Sequence, residues 1–174
     1  MIEPYLELLR AYGRVLDLSS GRVLENPEAL VEATRAYAEV LPAGARVLDL
    51  GSGGGWPGLP LALLRPDLDL TLVERRKKRA AFLDLARARL GLKNVRVYPG
   101  DVRELEGHYP YVTAQAVAPF PEVHRLVAHL SPRVLVSVKG PGWEEEVKGV
   151  PGRVFHVKPL AGGGTLVAVE VAEG

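Results

Sequence analysis

The chain has 174 residues, 47% of them hydrophobic, and sets 22 Lys and Arg against 21 Asp and Glu for a formal net charge of +1. That content supports one domain with a sizeable core. No run approaches the roughly 18 apolar residues of a membrane span, and the balanced charge lacks the footprint of an autonomous nucleic-acid binder. There is no cysteine, which excludes disulfides, thiolate metal sites and thiol nucleophiles. The N-terminus, MIEPYLELLR, carries acids and has no charged-then-apolar signal pattern, so a cytoplasmic protein is expected. Gln115 is the only glutamine, a scarcity of thermolabile amides expected of a thermophilic source and also of GC-rich coding.

In chain order, Leu6, Leu9 and Tyr12 fall at helical spacing and predict a short helix over 2–12. Asn26-Pro27-Glu28 reads as a helix start, with a capping side chain, a proline at the first position and an acid behind it. The helix it opens is expected to run to about Leu41, with Leu30, Val31, Thr34, Tyr37, Ala38 and Leu41 on one face, and Pro42-Ala43-Gly44 ends it. From there apolar runs alternate with helical stretches: strands over 46–50, 70–73, 95–98, 111–115 and 133–138, helices over 56–64, 77–90 and 121–130. Such alternation implies a parallel sheet with crossover helices. Two further strand-like runs, 153–157 and 165–171, flank Gly162-Gly163-Gly164 and read as an antiparallel hairpin. The expected fold is α/β and Rossmann-like: a mostly parallel sheet with a C-terminal antiparallel hairpin, in one domain over 1–174 with N-terminal helices in 1–41. That is the outline of a class I methyltransferase.

The chemistry starts at Val47-Leu48-Asp49-Leu50-Gly51-Ser52-Gly53-Gly54-Gly55-Trp56-Pro57-Gly58. An apolar strand runs into a glycine-rich turn and then a helix, so the backbone can turn sharply and approach a ligand, with helix amides presented to an anionic group. Asp49 stands where it can engage an amino group, directly or through water. Glu74 ends the second strand, 23 residues after Gly51, where an acid can grip both ribose hydroxyls. Gly100-Asp101 follows the third strand, where an adenine would lie. Ligands sit at the carboxyl ends of such strands, so Asp49, Gly51, Ser52, Gly53, Gly55, Glu74 and Asp101 form a candidate site for S-adenosyl-L-methionine. The alternative is a plain glycine turn with Glu74 capping a helix.

LDLGSGGGWPGLPLALLRP, ERRKKRAAFL, TAQAVAP and VKGPGWEEEV stand in an order and spacing that resemble the bacterial ribosomal-RNA guanine-N7 methyltransferases, the glucose-inhibited division protein B family. The resemblance runs from about Asn26 to Val147. It implies methyl transfer from S-adenosyl-L-methionine to guanine N7 in small-subunit ribosomal RNA. It also places Gly51, Trp56, Val102, Arg103 and Gln115 on cofactor-binding positions and Lys139, the candidate catalytic residue, on the family's pocket lysine.

Departures accompany it. Gln115 stands where the family usually has arginine, Asp101-Val102-Arg103 where it has Arg-Ala-Glu or similar, and Asp17-Leu18-Ser19 and Thr34-Arg35-Ala36 replace its Asn-Leu-Thr and Arg-His elements. The family's basic, proline-rich tail has no counterpart before Gly174, so the resemblance is to a shortened, divergent member. Two other readings stay open: a small-molecule methyltransferase of the same fold, and a cofactor-binding module without catalysis.

Transfer to N7 needs no base, since the sulfonium methyl is activated and N7 carries an unprotonated lone pair; positioning supplies the rate. Phe120, between two prolines, either stacks on a target base or packs inward. Arg75-Arg76-Lys77-Lys78-Arg79 is the densest charge on the chain. It suits RNA phosphates, and the competing reading is a solvated helix start. Trp56 shields the cofactor or packs its helix. Glu144-Glu145-Glu146 reads as the acidic start of a surface helix. The four histidines lack ligand spacing, so no metal site is expected.

Overall fold

A computed structural model describes residues 2–13, 26–115 and 117–172. Asp17-Leu18-Ser19 and Ala116 lie outside the described residues. The helices α1 (Glu3–Tyr12) and α2 (Pro27–Val40) precede an alternation of strands and helices: β1 (Arg46–Leu50), α3 (Gly58–Leu64), β2 (Asp69–Val73), α4 (Lys77–Arg89) and β3 (Val95–Tyr98). A 3-10 turn over Val102–Glu104 leads to β4 (Tyr111–Ala114), α5 (Phe120–Val127), β5 (Val134–Lys139), α6 (Trp143–Val147), β6 (Gly152–Pro159) and β7 (Thr165–Val171).

The strands form one seven-stranded sheet in the order β3-β2-β1-β4-β5-β7-β6. β1 to β5 are parallel. β7 runs antiparallel to β5 and β6 antiparallel to β7, so the tail is the expected hairpin. Alternation sorts each strand's side chains between two cores. Val47, Leu166 and Ala168 join α1, α2, α3 and α4 on one face, whereas Leu48, Leu50, Val167 and Val169 meet α5 and the turn around Val102 on the other.

The Asn26 side chain accepts the Ala29 amide at 3.1 Å, the cap read from the sequence. Other boundaries move for identifiable reasons. The helix expected from Trp56 begins at Gly58, because residues 51–57 form the turn and the Gly58 amide is taken by the Asp49 carboxylate at 3.2 Å. The helix expected over 121–130 ends at Val127 and tightens to a 3-10 turn, closed by Ser131 in the left-handed region. β5 extends one residue further than expected, so Lys139 is paired with Thr165 in the sheet.

Among the described residues no helix is long and apolar enough to cross a membrane, and no cluster of three His, Cys, Asp or Glu is arranged to hold a metal ion.

Candidate functional site

Strand register builds the site. Leu50 lies opposite Val73 and Ala114, and Val73 opposite Tyr98, so β1, β2, β3 and β4 reach their carboxyl ends level with one another. The residues just beyond, Gly51, Glu74, the 100–103 segment and Gln115, therefore share one edge. The strand order reverses between β1 and β4, which opens a crevice there. A separate depression lined by His108, His124, Arg133 and Glu170 opens at the opposite, amino ends of β4 and β5, away from the glycine loop.

Gly51, Gly53 and Gly55 all have positive φ (64°, 53° and 90°), a backbone that side chains with a Cβ rarely adopt. At Gly51 a Cβ would stand 2.8 Å from Val117, an exposed apolar residue on the β4–α5 loop. The glycine loop and that loop thus touch, with the Val117 side chain packed against Gly51. At Gly53 a Cβ would meet nothing nearer than 3.8 Å, so the middle of the loop is open to a ligand.

Beneath the loop the polar groups are consumed internally. Asp49 is fully buried, and its carboxylate accepts from Thr113 Oγ1 at 2.7 Å, Ser52 Oγ at 2.9 Å and the Gly58 amide at 3.2 Å. Burial pushes its pKa up to about 6, against the lowering effect of those three donors. Asp49 and Ser52 thus tie β1, β4 and the start of α3 together, which differs from the expectation that Asp49 meets a ligand's amino group. Glu74 is also buried, with Oε2 accepting the Arg76 amide at 3.2 Å. Asp101 faces Arg103: the pair closes to 2.6 Å, the Arg103 amide adds a bond at 2.9 Å, and the guanidinium holds the carboxyl down at about 2. Two expected cofactor residues therefore engage each other at the rim, while Val102 between them is buried.

The N-terminal helices brace this edge from one face, a feature missed in the sequence. Tyr5 of α1 donates its hydroxyl to the Gly54 carbonyl at 2.9 Å. Tyr37 of α2 donates to Gln115 Oε1 at 2.8 Å, and the Val138 amide donates to both the Tyr37 hydroxyl (3.1 Å) and Gln115 Oε1 (3.3 Å). Burial pushes both phenols above the usual tyrosine range. Trp56 is packed: its indole N–H donates to Thr34 Oγ1 at 3.0 Å and its ring meets Tyr37 edge-on at 5.7 Å. The available signal was that Tyr37 and Thr34 share the apolar face of α2, where a hydroxyl needs a partner.

On the β5 side, Lys139 lies 2.7 Å from Glu146 and over the Phe120 ring. Phe120 is 1% exposed, so it packs inward and offers no stacking face. Arg75, Arg76, Lys77 and Lys78 are exposed at the end of β2 and the start of α4, whose first turn carries no acid. Among the described residues none of these four has an ion-pair partner within 4 Å.

Comparison with known proteins gives the chain a family and a fold. Residues 1–156 match the family model described as rRNA small subunit methyltransferase G. The ribosomal RNA small subunit methyltransferase G of Acidothermus cellulolyticus is 44% identical over 97 residues, covering 54% of this chain and 44% of the relative. That of Cupriavidus necator is 38% identical over 152 residues, covering 78% of this chain and 65% of the relative. The chain thus spans from under half to just under two thirds of these relatives' length. Among solved structures, a SAM-dependent methyltransferase from Aquifex aeolicus superposes with a TM-score of 0.67 at 17% identity, covering 91% of this chain and 96% of that one. The Pyrococcus abyssi tRNA (uracil-54, C5)-methyltransferase, in complex with S-adenosyl-L-homocysteine, gives 0.65 at 16% identity over 82% of this chain and 38% of that one. These two likenesses show a shared Rossmann-like methyltransferase fold.

Proposed function

The chain belongs to the rRNA small subunit methyltransferase G family, and from that premise we propose that it is an S-adenosyl-L-methionine-dependent methyltransferase acting on guanine N7 of small-subunit ribosomal RNA in the cytoplasm. The observation that carries the reading is the convergence of the glycine turn, buried Glu74 and Val102 on one edge of the sheet at its switch point. The residues present fit the cofactor. Gly51 and Gly53 let the main chain approach it, and Glu74 offers a desolvated carboxylate to two ribose hydroxyls. The 101–103 turn borders the adenine, and Gln115 closes the β4 side. Asp49 and Ser52 act from below, holding the turn in shape.

Bound there, S-adenosyl-L-methionine supplies a methyl group on a sulfonium. Its sulfonium would make the methyl group transferable to a nitrogen that carries its own lone pair, so no protein side chain would have to remove a proton. The protein's task is therefore alignment and exclusion of water. Val117 packs directly against Gly51 and borders the cleft on its β4 side. Four exposed cations at 75–78, without an ion pair among the described residues, lie along the same edge. Lys and Arg at a helix start oppose the helix dipole, a placement that RNA phosphates would offset.

The test is transfer of a labelled methyl group from the cofactor to naked small-subunit RNA, to assembled small subunits and to a pool of small metabolites. Label in guanine N7 supports the proposal, label only in metabolites replaces it with a small-molecule methyltransferase, and cofactor binding without transfer leaves a non-catalytic module.

A further inference from the structure

At the carboxyl end of β5, one carboxylate oxygen gathers three segments of the chain. Glu146 Oε1, on α6, lies 2.7 Å from Lys139 Nζ and accepts the backbone N–H of Phe120 at 2.6 Å. The ammonium also donates to the Ala118 carbonyl at 3.2 Å and stands 4.6 Å from the centroid of the Phe120 ring. Helix α5 begins after Pro119, which provides no side-chain cap. Glu146, 26 residues further on, takes over that capping role for the first residue of the helix.

The arrangement is costly for a structural clip. Lys139 and Glu146 are only 13% and 21% exposed, and taking both charges out of water consumes much of what their attraction returns. A neutral pair could hold α6 against α5 as well. What a neutral pair could not do is keep a lysine ammonium, with its directed donors, at the strand end beside the Ala118 carbonyl of the β4–α5 loop. Resting on the methyltransferase reading above, we infer that Glu146 is a positioning residue for the acceptor nucleotide. It fixes where the Lys139 head group stands and, through the Phe120 amide, the course of residues 118–120 that border the acceptor's path. The chemistry recognised is that of a purine edge or phosphate oxygen, an acceptor of hydrogen bonds that a lysine donor can meet.

The experiment compares Glu146→Ala with Glu146→Gln, which keeps an oxygen acceptor for both donors. With full-length protein and saturating cofactor, Glu146→Ala raises KM for the small-subunit RNA acceptor about tenfold, equivalent to the loss of one directed contact. Calorimetric affinity for S-adenosyl-L-homocysteine stays within about twofold of wild type, and Glu146→Gln returns KM to within about threefold of wild type. A fall in melting temperature with KM unchanged, or equal damage in the two variants, would overturn the inference. Acetylation of Lys139 with a small amine-reactive ester, followed by mass spectrometry, reads the same geometry without activity. The lysine is protected in wild type and reacts about tenfold faster in Glu146→Ala, with Glu146→Gln between them because it keeps the acceptor and loses the charge. Should wild type methylate no RNA, the functional reading fails by itself. Equal acetylation rates in all three proteins would then sink the positioning role separately.

Discussion

On the β1 side of the cleft, polar atoms are satisfied by neighbours close in the fold and mostly neutral. Tyr5 reaches the glycine loop, Thr113 and Ser52 reach Asp49, and Thr34 reaches Trp56. On the β4–β5 side, order depends on a charged pair, Lys139 with Glu146, and on Gln115 shared between Tyr37 and the Val138 amide. The first arrangement suits a half that must keep one shape for one cofactor. The second suits a half that meets a variable, charged partner, where donors have to remain near the surface. Along the outer rim, Arg75 to Lys78 carry this contrast to its extreme, with four exposed charges and no ion pair among the described residues.

The sharpest way to break the β1 half is a side chain inside the turn. At Gly55, with φ at 90°, a Cβ would lie 2.3 Å from Leu59 Cδ1 and 3.2 Å from Leu83 Cδ2. Gly55→Val is expected to cost roughly 4 kcal/mol of stability, as strain and overpacking combine. Gly53→Val in the same loop, where a Cβ would meet nothing nearer than 3.8 Å, costs less than half as much. Denaturant midpoints at unchanged m-value measure both.

Asp49 gives a smaller effect with a distinctive pH signature. Its pKa is raised in the folded protein from 3.8 to about 6 by burial, so the folded state holds the proton more tightly than the unfolded chain. Its stabilising contribution is full below pH 4 and is lost as pH rises towards and through 6, by about 3 kcal/mol in total. Asp49→Asn removes that loss. Its amide oxygen can keep Ser52 and Gly58 while its N–H turns to Thr113. Followed from pH 4 to 7, the stability of wild type relative to the variant is expected to fall by most of that amount. A constant difference would mean that Asp49 is not buried as a charge.

Tyr37→Phe tests the opposite half. It deletes the hydroxyl joining α2 to Gln115 and Val138 and is expected to cost about 1–2 kcal/mol, with Tyr5→Phe near the lower figure. Both should weaken cofactor affinity, Tyr37→Phe by releasing Gln115 and Tyr5→Phe by releasing the glycine turn. Smallest in free energy is the rim. Binding of small-subunit RNA should fall with salt at a log–log slope of roughly −2 to −3, and Arg75→Ala with Lys78→Ala should flatten it by about 1.4. A salt-insensitive interaction would remove RNA phosphates from this edge.

The same division decides what was legible in the sequence. Asn26 capping α2, the strand–turn–helix through Gly51 and the terminal hairpin were readable because each depends on residues within a few positions of one another. Glu74 was placed correctly at a strand end because strand periodicity fixes where such an end falls. The inward turn of Asp49 was not readable, since Thr113 lies 64 residues away and only the pairing of β1 with β4 brings it close. Asp101 and Arg103 were each read as facing a ligand, although carboxylate and guanidinium two residues apart at a 3-10 start satisfy each other first. Glu146 was read as one of three surface acids at a short helix. Its partners are Lys139 and the Phe120 amide 26 residues back, and no local pattern marks it out.

The most direct test of the cleft is calorimetric titration of the full chain with S-adenosyl-L-homocysteine, in wild type and in Glu74→Ala. Micromolar binding is expected, at one site per chain. Glu74→Ala should weaken it by roughly 1.5–3 kcal/mol, through loss of charge-assisted hydrogen bonds to both ribose hydroxyls. Equal affinity in the two proteins would take Glu74 out of the site, and preference for a nicotinamide dinucleotide would contradict the placement of a methyl donor at this edge of the sheet.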